Sequence, residues 1–529
     1  MNLGFLPNPD PAQKHGWLER ARKLTPKLRH RTLRPVCEVR MVADPASFQG
    51  WRVEPCAEAE AAPARVIEPG GAVVVDFGQH LVGRLRLRAG TDQGVAGAPL
   101  RLRFLFGEVP AEIAEANGPL EAGQCLSWNW RQEETVTLDV LPAELRLSRR
   151  YAFRYVKIEV VDRSPYARGA RLSEIRCATE NAVPLQLPPS PTGLPPDLQQ
   201  IDAVSLRTLR DCMQTVFEDG PKRDRRLWLG DLRLQALASA GTYNQLPLVE
   251  RCLCLFAGLA RDDGTVMACL YEKPAPVAGA DFILDYAMLF APTLMDYLDA
   301  GGDLGLAREF WPLALRQLHR PLTCVDEHGR FQVDATCWNF IDWHDSLDRQ
   351  VSMHGVLLYC LARTVALGER LGCRAELAGL HACRDRLTTA ARAAFLDPAD
   401  GLLRSGPARQ VSWASHAWGA LGGILTTAEA AAAFRRLPAV PEALRPAGPY
   451  LYHYVLEAMF GCGLDAEAVA LLRYYWGGMV RDGADTFWEV YDPAQPKLSP
   501  YNNYLINSYC HAWSCTPAYF FRRYAKAFA

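Results

Sequence analysis

The chain has 529 residues, more than one hydrophobic core organises, so two or three domains are expected. Apolar residues make up 49% and charged residues 22%, an ordinary globular balance, and the formal net charge is −1 with no basic block. Charge therefore gives no reason to invoke nucleic acid or an anionic membrane surface as a partner.

Taken in order, the first 24 residues lack an uninterrupted apolar run and a small-residue cleavage site, so no secretory leader is expected, and residues 1–34 read as an N-terminal extension. No later stretch of about twenty apolar residues suggests a membrane span. From about Val36 to Cys177 the chain alternates. Ala72–Phe77, Gly83–Arg88, Leu100–Phe106, Glu134–Val140 and Arg154–Val160 carry apolar residues at every second position or in short β-branched runs. Gly, Pro and Asp separate them, which predicts an antiparallel β-sandwich over 35–182. Residues 183–196 (VPLQLPPSPTGLPP) are too rich in Pro for a regular element and read as a linker.

After the linker, over 197–529, the period is helical. Asp197 is a candidate N-cap for a helix running to about Phe217. Further helices are expected near 231–241, 247–260, 281–300, 303–319, 351–371, 374–396, 410–422, 426–436, 449–462, 464–479 and 502–527, about twelve in all. The connections alternate in length. Links near 242–246, 301–302, 372 and 463 are short; those at 218–230, 261–280, 320–350, 397–409, 437–448 and 480–501 are long and rich in aromatics and acids. Helices paired by short links form hairpins, and six hairpins closing on themselves give an (α/α)6 barrel with most long loops at one end. The loops 218–230 and 480–501 should then face each other.

Three clusters sit in those loops. Asp219-Gly-Pro-Lys-Arg-Asp-Arg-Arg-Leu-Trp-Leu-Gly-Asp231 packs three aspartates, three arginines, a lysine and Trp228 into one segment. Asp219 and Asp231 would each serve as a helix-end residue, but with Asp224 between Arg223 and Arg225 the segment holds more charge than capping needs. Cationic neighbours lower a carboxyl pKa and burial raises it, so an acid in this segment depends on which effect dominates. In Thr486-Phe-Trp-Glu489, Glu489 follows Trp488 in an apolar setting suited to a base. Cys337-Trp-Asn-Phe-Ile-Asp-Trp-His-Asp345 offers Trp338 and Trp343 as faces for a sugar ring and Asn339 and Asp342 as hydroxyl partners. His511 and Trp513 lie in the expected last helix. The other Trp of the chain's 13 read mostly as core.

These segments, in this order, resemble the α-L-rhamnosidases of glycoside hydrolase family 78. The N-terminal Val75-Asp-Phe-Gly-Gln79 and Gly83–Leu87 are similar to the β-domain that precedes the barrel in that family. The resemblance implies hydrolysis of terminal α-L-rhamnose with inversion, no cofactor and no metal. It implies Asp224 as general acid and Glu489 as general base. Asp219, Arg223, Trp228, Asp231, Asp342 and Trp343 are implied as sugar contacts, and Trp338, Trp488, His511 and Trp513 are candidates beside them. Many members carry Glu where Asp224 stands, and against longer loops the alignment puts Arg225 there; only a carboxyl group can act as the acid. The chain also ends at Ala529 without the family's common C-terminal β-domain. The expectation is a cytoplasmic enzyme acting on short glycosides, its 16 Cys reduced and its β-domain available to a homodimer. Two readings stay open beside it. One is another (α/α)6 glycosidase or a lyase using Tyr491 or His511; the other is a sugar-binding protein without turnover.

Overall fold

The computed structural model describes residues 7–58, 66–91, 97–119 and 126–528, so the leader expectation for residues 1–6 lies outside the described residues. A helix α1 (Pro11–Lys23) opens the chain with a capping box at Asp10 and Gln13. Ten strands follow in one antiparallel network: β1 (Arg29–Leu33), β2 (Cys37–Ala43), β3 (Trp51–Glu58), β4 (Val66–Ile67), β5 (Ala72–Thr91), β6 (Leu100–Gly107), β7 (Glu133–Leu138), β8 (Ala143–Arg146), β9 (Tyr151–Arg163) and β10 (Ala170–Asn181). The 20-residue β5 carries the architecture. Its first half pairs with β9, and its second half pairs with β10 and β8, so one strand serves two layers. Along its second half Leu85, Leu87 and Ala89 are buried while Arg86 and Arg88 are exposed, the alternation of a half-buried strand. With Leu81, Phe104, Phe106, Phe153 and Ile158 they fill the domain's core.

From Asn8 onward the extension is held against both domains. Helix α1 packs on the barrel helix α5 (Leu246–Gly258), Trp17 Nε1 donates to Glu309 at 2.9 Å, and β1 pairs with β10. The Pro-rich stretch is irregular, as expected, but it is held on the barrel: Arg210 donates to Leu185 O at 3.0 Å and Gln199 to Leu194 O at 2.6 Å. A short helix α2 (Pro110–Ala114) sits between β6 and β7.

The barrel's outer helices are α3 (Pro196–Cys212), α5, α8 (Leu304–Arg316), α11 (Arg374–Phe395), α13 (Thr427–Arg436) and α15 (Asp465–Arg481). The inner ones are α4 (Leu229–Ala240), α7 (Phe290–Asp299), α10 (Gln350–Leu371), α12 (Trp413–Leu421), α14 (Pro449–Gly461) and α16 (Pro517–Arg523). Neighbouring inner helices touch in that order up to α14. The ring closes through Ala512–Ser514 and α16, which meet α4, while α3 packs on α15 and α16. Every long connection enters an inner helix, so all six gather at one end. Two short helices, α6 (Leu284–Met288) and α9 (His319–Thr323), lie within them.

Several helix ends differ from expectation. The first helix stops at Cys212, not Phe217, and begins at Pro196, so Asp197 lies in its first turn and pairs with Arg473 at 2.7 Å instead of capping. The expected 281–300 helix is two, α6 and α7, and the expected last helix shrinks to α16, preceded by 3-10 turns at Tyr504–Ile506 and Ala512–Ser514. There the backbone amides are claimed from afar. Tyr509 N donates to Glu108 at 2.7 Å, His511 N to Phe487 O at 2.9 Å and Ala512 N to Asp219 O at 2.6 Å, which removes the local ladder. The 22-residue α10 is long and apolar enough to cross a membrane, against the expectation of no such stretch, yet 78% of its most apolar window is buried inside the barrel.

Candidate active site

The loop after α3 is organised around one carboxylate. Asp219 Oδ2 accepts from Asp224 N and its Oδ1 from Arg226 N, both at 3.0 Å, and Asp219 N donates to Arg226 O at 2.9 Å. Gly220 is required at this turn, because a Cβ there would lie 2.4 Å from Arg223 O and 2.5 Å from Ser508 Oγ. The segment 487–489 and the segment 508–512 lie alongside, joined by Glu489 N to Ser508 O at 3.0 Å. The two loops expected to face each other share one wall, bridged by Arg223 of the first and Glu489 of the second.

Arg223 stands at the centre. Its Nη1 is 3.2 Å from Asp224 Oδ1, its Nη2 donates to Glu489 Oε2, and its Nε donates to Ile506 O at 3.1 Å. The guanidinium lies over the Tyr501 ring, 4.1 Å from its centroid. Glu489 also accepts from Tyr501 OH at 2.5 Å and Ser508 N at 3.0 Å. Burial alone would raise its pKa, but Arg223, His511 and these hydrogen bonds outweigh burial and hold the carboxyl at about 2. Glu489 is therefore ionised. Asp219 behaves oppositely: burial and then the charge of Asp224 push it up to about 7. Asp231 is raised by burial despite its contact with His511 Nε2 at 3.2 Å, and the surrounding carboxylates raise His511 against the effect of burial.

These groups line a cavity of about 210 Å³. Ligand pockets commonly span roughly 300–1,000 Å³, so this cavity is at the small end, suited to a small ligand. Of the twelve residues that the resemblance assigns to the site or sets beside it, ten line it: Asp219, Arg223, Asp224, Trp228, Asp231, Trp338, Trp343, Glu489, His511 and Trp513. Two do not. Asp342 is turned to the backbone, accepting from Ala447 N at 2.6 Å and Gly448 N at 3.0 Å, and Trp488 is buried behind the wall, stacked on Phe48 at 4.4 Å. Both were expected as sugar contacts; the structure uses one to fix a loop and the other as core. Tyr491 is likewise outside, its hydroxyl donating to Asp482 at 2.7 Å. Asn339 is spent on local carbonyls, donating to Asp334 O at 3.1 Å and Cys337 O at 3.0 Å.

Sequence reasoning missed Arg226, Ile283, Tyr286, Phe340 and Tyr501, and from the β-domain Leu126 and Trp130. Tyr501 closes the long 480–501 loop and Phe340 sits inside the Trp338–Trp343 string, so the aromatic richness of those loops was the available signal. Nothing local marks Tyr286, whose ring fills the space that a Gly230 side chain would take. Aromatic faces make the apolar wall: Phe340 stacks on Trp513 at 5.7 Å, and Trp343 meets Tyr501 edge-on at 5.9 Å. Two of the lining residues carry a buried polar atom without a hydrogen-bond partner, His511 Nδ1 and Trp343 Nε1. Buried polar groups are normally satisfied, so these two atoms are candidates for partners the chain itself does not supply. Among the described residues no group of three or more His, Cys, Asp or Glu side chains is arranged to hold a metal ion.

Comparison with known proteins agrees with this geometry. Residues 35–179 match the profile of the glycosyl hydrolase family 78 α-rhamnosidase N-terminal domain, and residues 195–525 that of the bacterial α-L-rhamnosidase six-hairpin glycosidase domain. The fold is similar to a rhamnosidase from Klebsiella oxytoca solved with rhamnose bound: TM-score 0.92 and 42% identity, over 97% of this chain and 99% of that one. It also resembles the family 78 rhamnosidase of Bacillus sp. GL1, with TM-score 0.73 and 21% identity over 89% of this chain and 49% of that one. For the α-L-rhamnosidase of Streptomyces avermitilis the values are 0.67 and 19%, over 94% and 44%. The chain thus spans about half the length of these two and nearly the whole of the first. No curated protein sequence matches it.

Proposed function

The chain belongs to the α-L-rhamnosidases of glycoside hydrolase family 78, and we propose from that membership that it releases terminal α-L-rhamnose from a small glycoside or oligosaccharide with inversion. Asp224 is the general acid: its proton passes to the glycosidic oxygen as the bond to the anomeric carbon breaks. Glu489 is the general base: it takes a proton from the water that attacks the opposite face. The observation that carries this reading is Arg223, which holds Asp224 at one amino group and Glu489 at the other inside a single cavity. Inversion requires the two carboxyl groups roughly 6.5–9.5 Å apart, with room for the attacking water between them, against the 5–5.5 Å of retaining enzymes.

The supporting features fit a deoxy sugar. The Asp231–His511 pair suits ring hydroxyls, and the Phe340–Trp513 wall suits a methyl group. Asp219 keeps both oxygens on backbone amides, so its part is mainly to shape the loop. A cytoplasmic setting is proposed because fifteen cysteines, all of those described, are free thiols.

Asp224→Asn and Glu489→Gln are each expected to lower hydrolysis of methyl α-L-rhamnoside, whose leaving group must be protonated, by at least ~10²-fold with the fold intact. Following the released sugar by NMR, β-L-rhamnose should appear first. Near-wild-type turnover in either variant, or the α-anomer as first product, overturns the assignment.

A further inference from the structure

A second buried cluster of charged side chains lies outside the cavity, at the seam between the two domains. Lys222, fully buried, donates to Glu112 Oε1 at 2.7 Å, lies 3.2 Å from Glu108 Oε2 and also donates to Asn507 O. Glu108 further accepts from Tyr509 N at 2.7 Å and contacts His80 Nε2 at 3.1 Å, while His80 Nδ1 reaches Asp211 at 2.8 Å. Arg210 completes the set on Asp211 at 2.7 Å. Three carboxylates thus meet three cationic side chains away from water.

Glu108 and Glu112 belong to the β-domain, at the start of α2, where Glu112 Oε2 also accepts from Glu108 N at 2.6 Å and Val109 N at 3.1 Å. Lys222 belongs to the loop of the barrel that continues directly into Arg223 and Asp224. A buried ammonium is tolerable only where its partners are, so the carboxylates dictate where Lys222 rests. The two residues that follow have little freedom left, and the same Glu108 ties Tyr509, next to the Ser508 amide that serves Glu489.

We propose that the β-domain is a positioning element of the active site: Glu112 and Glu108 grip Lys222 and thereby set where Asp224 delivers its proton. Glu112 and Lys222 are positioning residues, since neither lines the cavity. The inference rests on Asp224 being the acid, and its test separates the two claims.

The test is the dependence on leaving group, in the full-length chain. Nitrophenyl α-L-rhamnoside departs with little help from an acid, whereas methyl α-L-rhamnoside must be protonated. In Glu112→Gln, kcat for the methyl glycoside should fall by about 10²-fold, the scale of general acid catalysis, and kcat for the nitrophenyl glycoside by less than about tenfold, with KM for both within about twofold. If that variant does not fold, Glu112→Gln with Lys222→Met, which leaves no ammonium unpaired, should give the same pattern. Equal losses on the two substrates, or no loss, overturn the proposal, because a purely structural contact has no reason to discriminate between leaving groups. Asp224→Asn, measured alongside, should show the same discrimination more strongly. If it shows none, the acid assignment falls and this inference with it; if it does while Glu112→Gln does not, the positioning role alone falls.

Discussion

Asp342 shows how one side chain can belong to the right motif and serve another purpose. Its carboxyl is buried and used by the amides of Ala447 and Gly448, and burial, opposed by those hydrogen bonds, lifts its pKa from 3.8 to about 7. The folded chain therefore holds this proton more tightly than the unfolded chain. The associated stability is complete below about pH 4, shrinks as pH rises, and is lost above about pH 7. Asn does not titrate. The difference in Tm between the native chain and Asp342→Asn should accordingly be most favourable to the native chain near pH 4 and decline toward pH 7. Melting curves across that range check it, and a difference independent of pH rules the argument out. Glu489 is the mirror case, held down at about 2 by Arg223 and its hydrogen bonds against burial. At this scale the sequence exposes residue types and spacing, which is why ten of the twelve chosen residues line one cavity. It does not expose direction: Trp488 and Glu489 are adjacent, yet one faces Phe48 and the other Arg223.

Among elements, the inner ring depends on close approach. Gly355 of α10 lies so near α12 that a Cβ would sit 2.5 Å from Trp418 O, and a Cβ on Gly422 would sit 2.5 Å from Gly355 O. Backbone meets backbone at this crossing, and a side chain can be admitted only by moving a helix. Gly355→Ala should destabilise the chain by about 1–3 kcal/mol, read as a lower Tm, with KM unchanged because the cavity lies elsewhere. Helix existence was legible from periodicity, and the alternation of short and long links correctly implied hairpins. Helix ends were not. The stretch from Tyr504 to Thr516 is apolar enough to read as helix, but Glu108, Phe487 and Asp219 take its amides in place of local carbonyls. A pattern of apolar residues reports burial, and burial is available to irregular chain wherever distant groups supply the hydrogen bonds.

For the whole molecule, the β-domain is more than an appendage. Besides the Glu108–Glu112 grip on Lys222 it places Leu126 and Trp130 on the cavity wall. Trp130 comes from outside the barrel, so its expected contact is with the group the sugar leaves behind. Trp130→Ala should cost about 0.5–1.5 kcal/mol of binding to an aromatic aglycone, a several-fold rise in KM, while KM for the methyl glycoside stays unchanged. Steady-state kinetics on the two glycosides decides it, and an equal rise on both sinks it. The sequence by itself determined the two-domain order, the six-hairpin barrel and the family, because hydrophobic period, loop length and an ordered set of motifs are written locally. Only the tertiary structure decided which carboxylates stay charged, that Arg223 joins Asp224 to Glu489, and that buried acids of one domain hold the loop of the other. Those outcomes depend on desolvation and on contacts between residues hundreds of positions apart, and no local pattern encodes either.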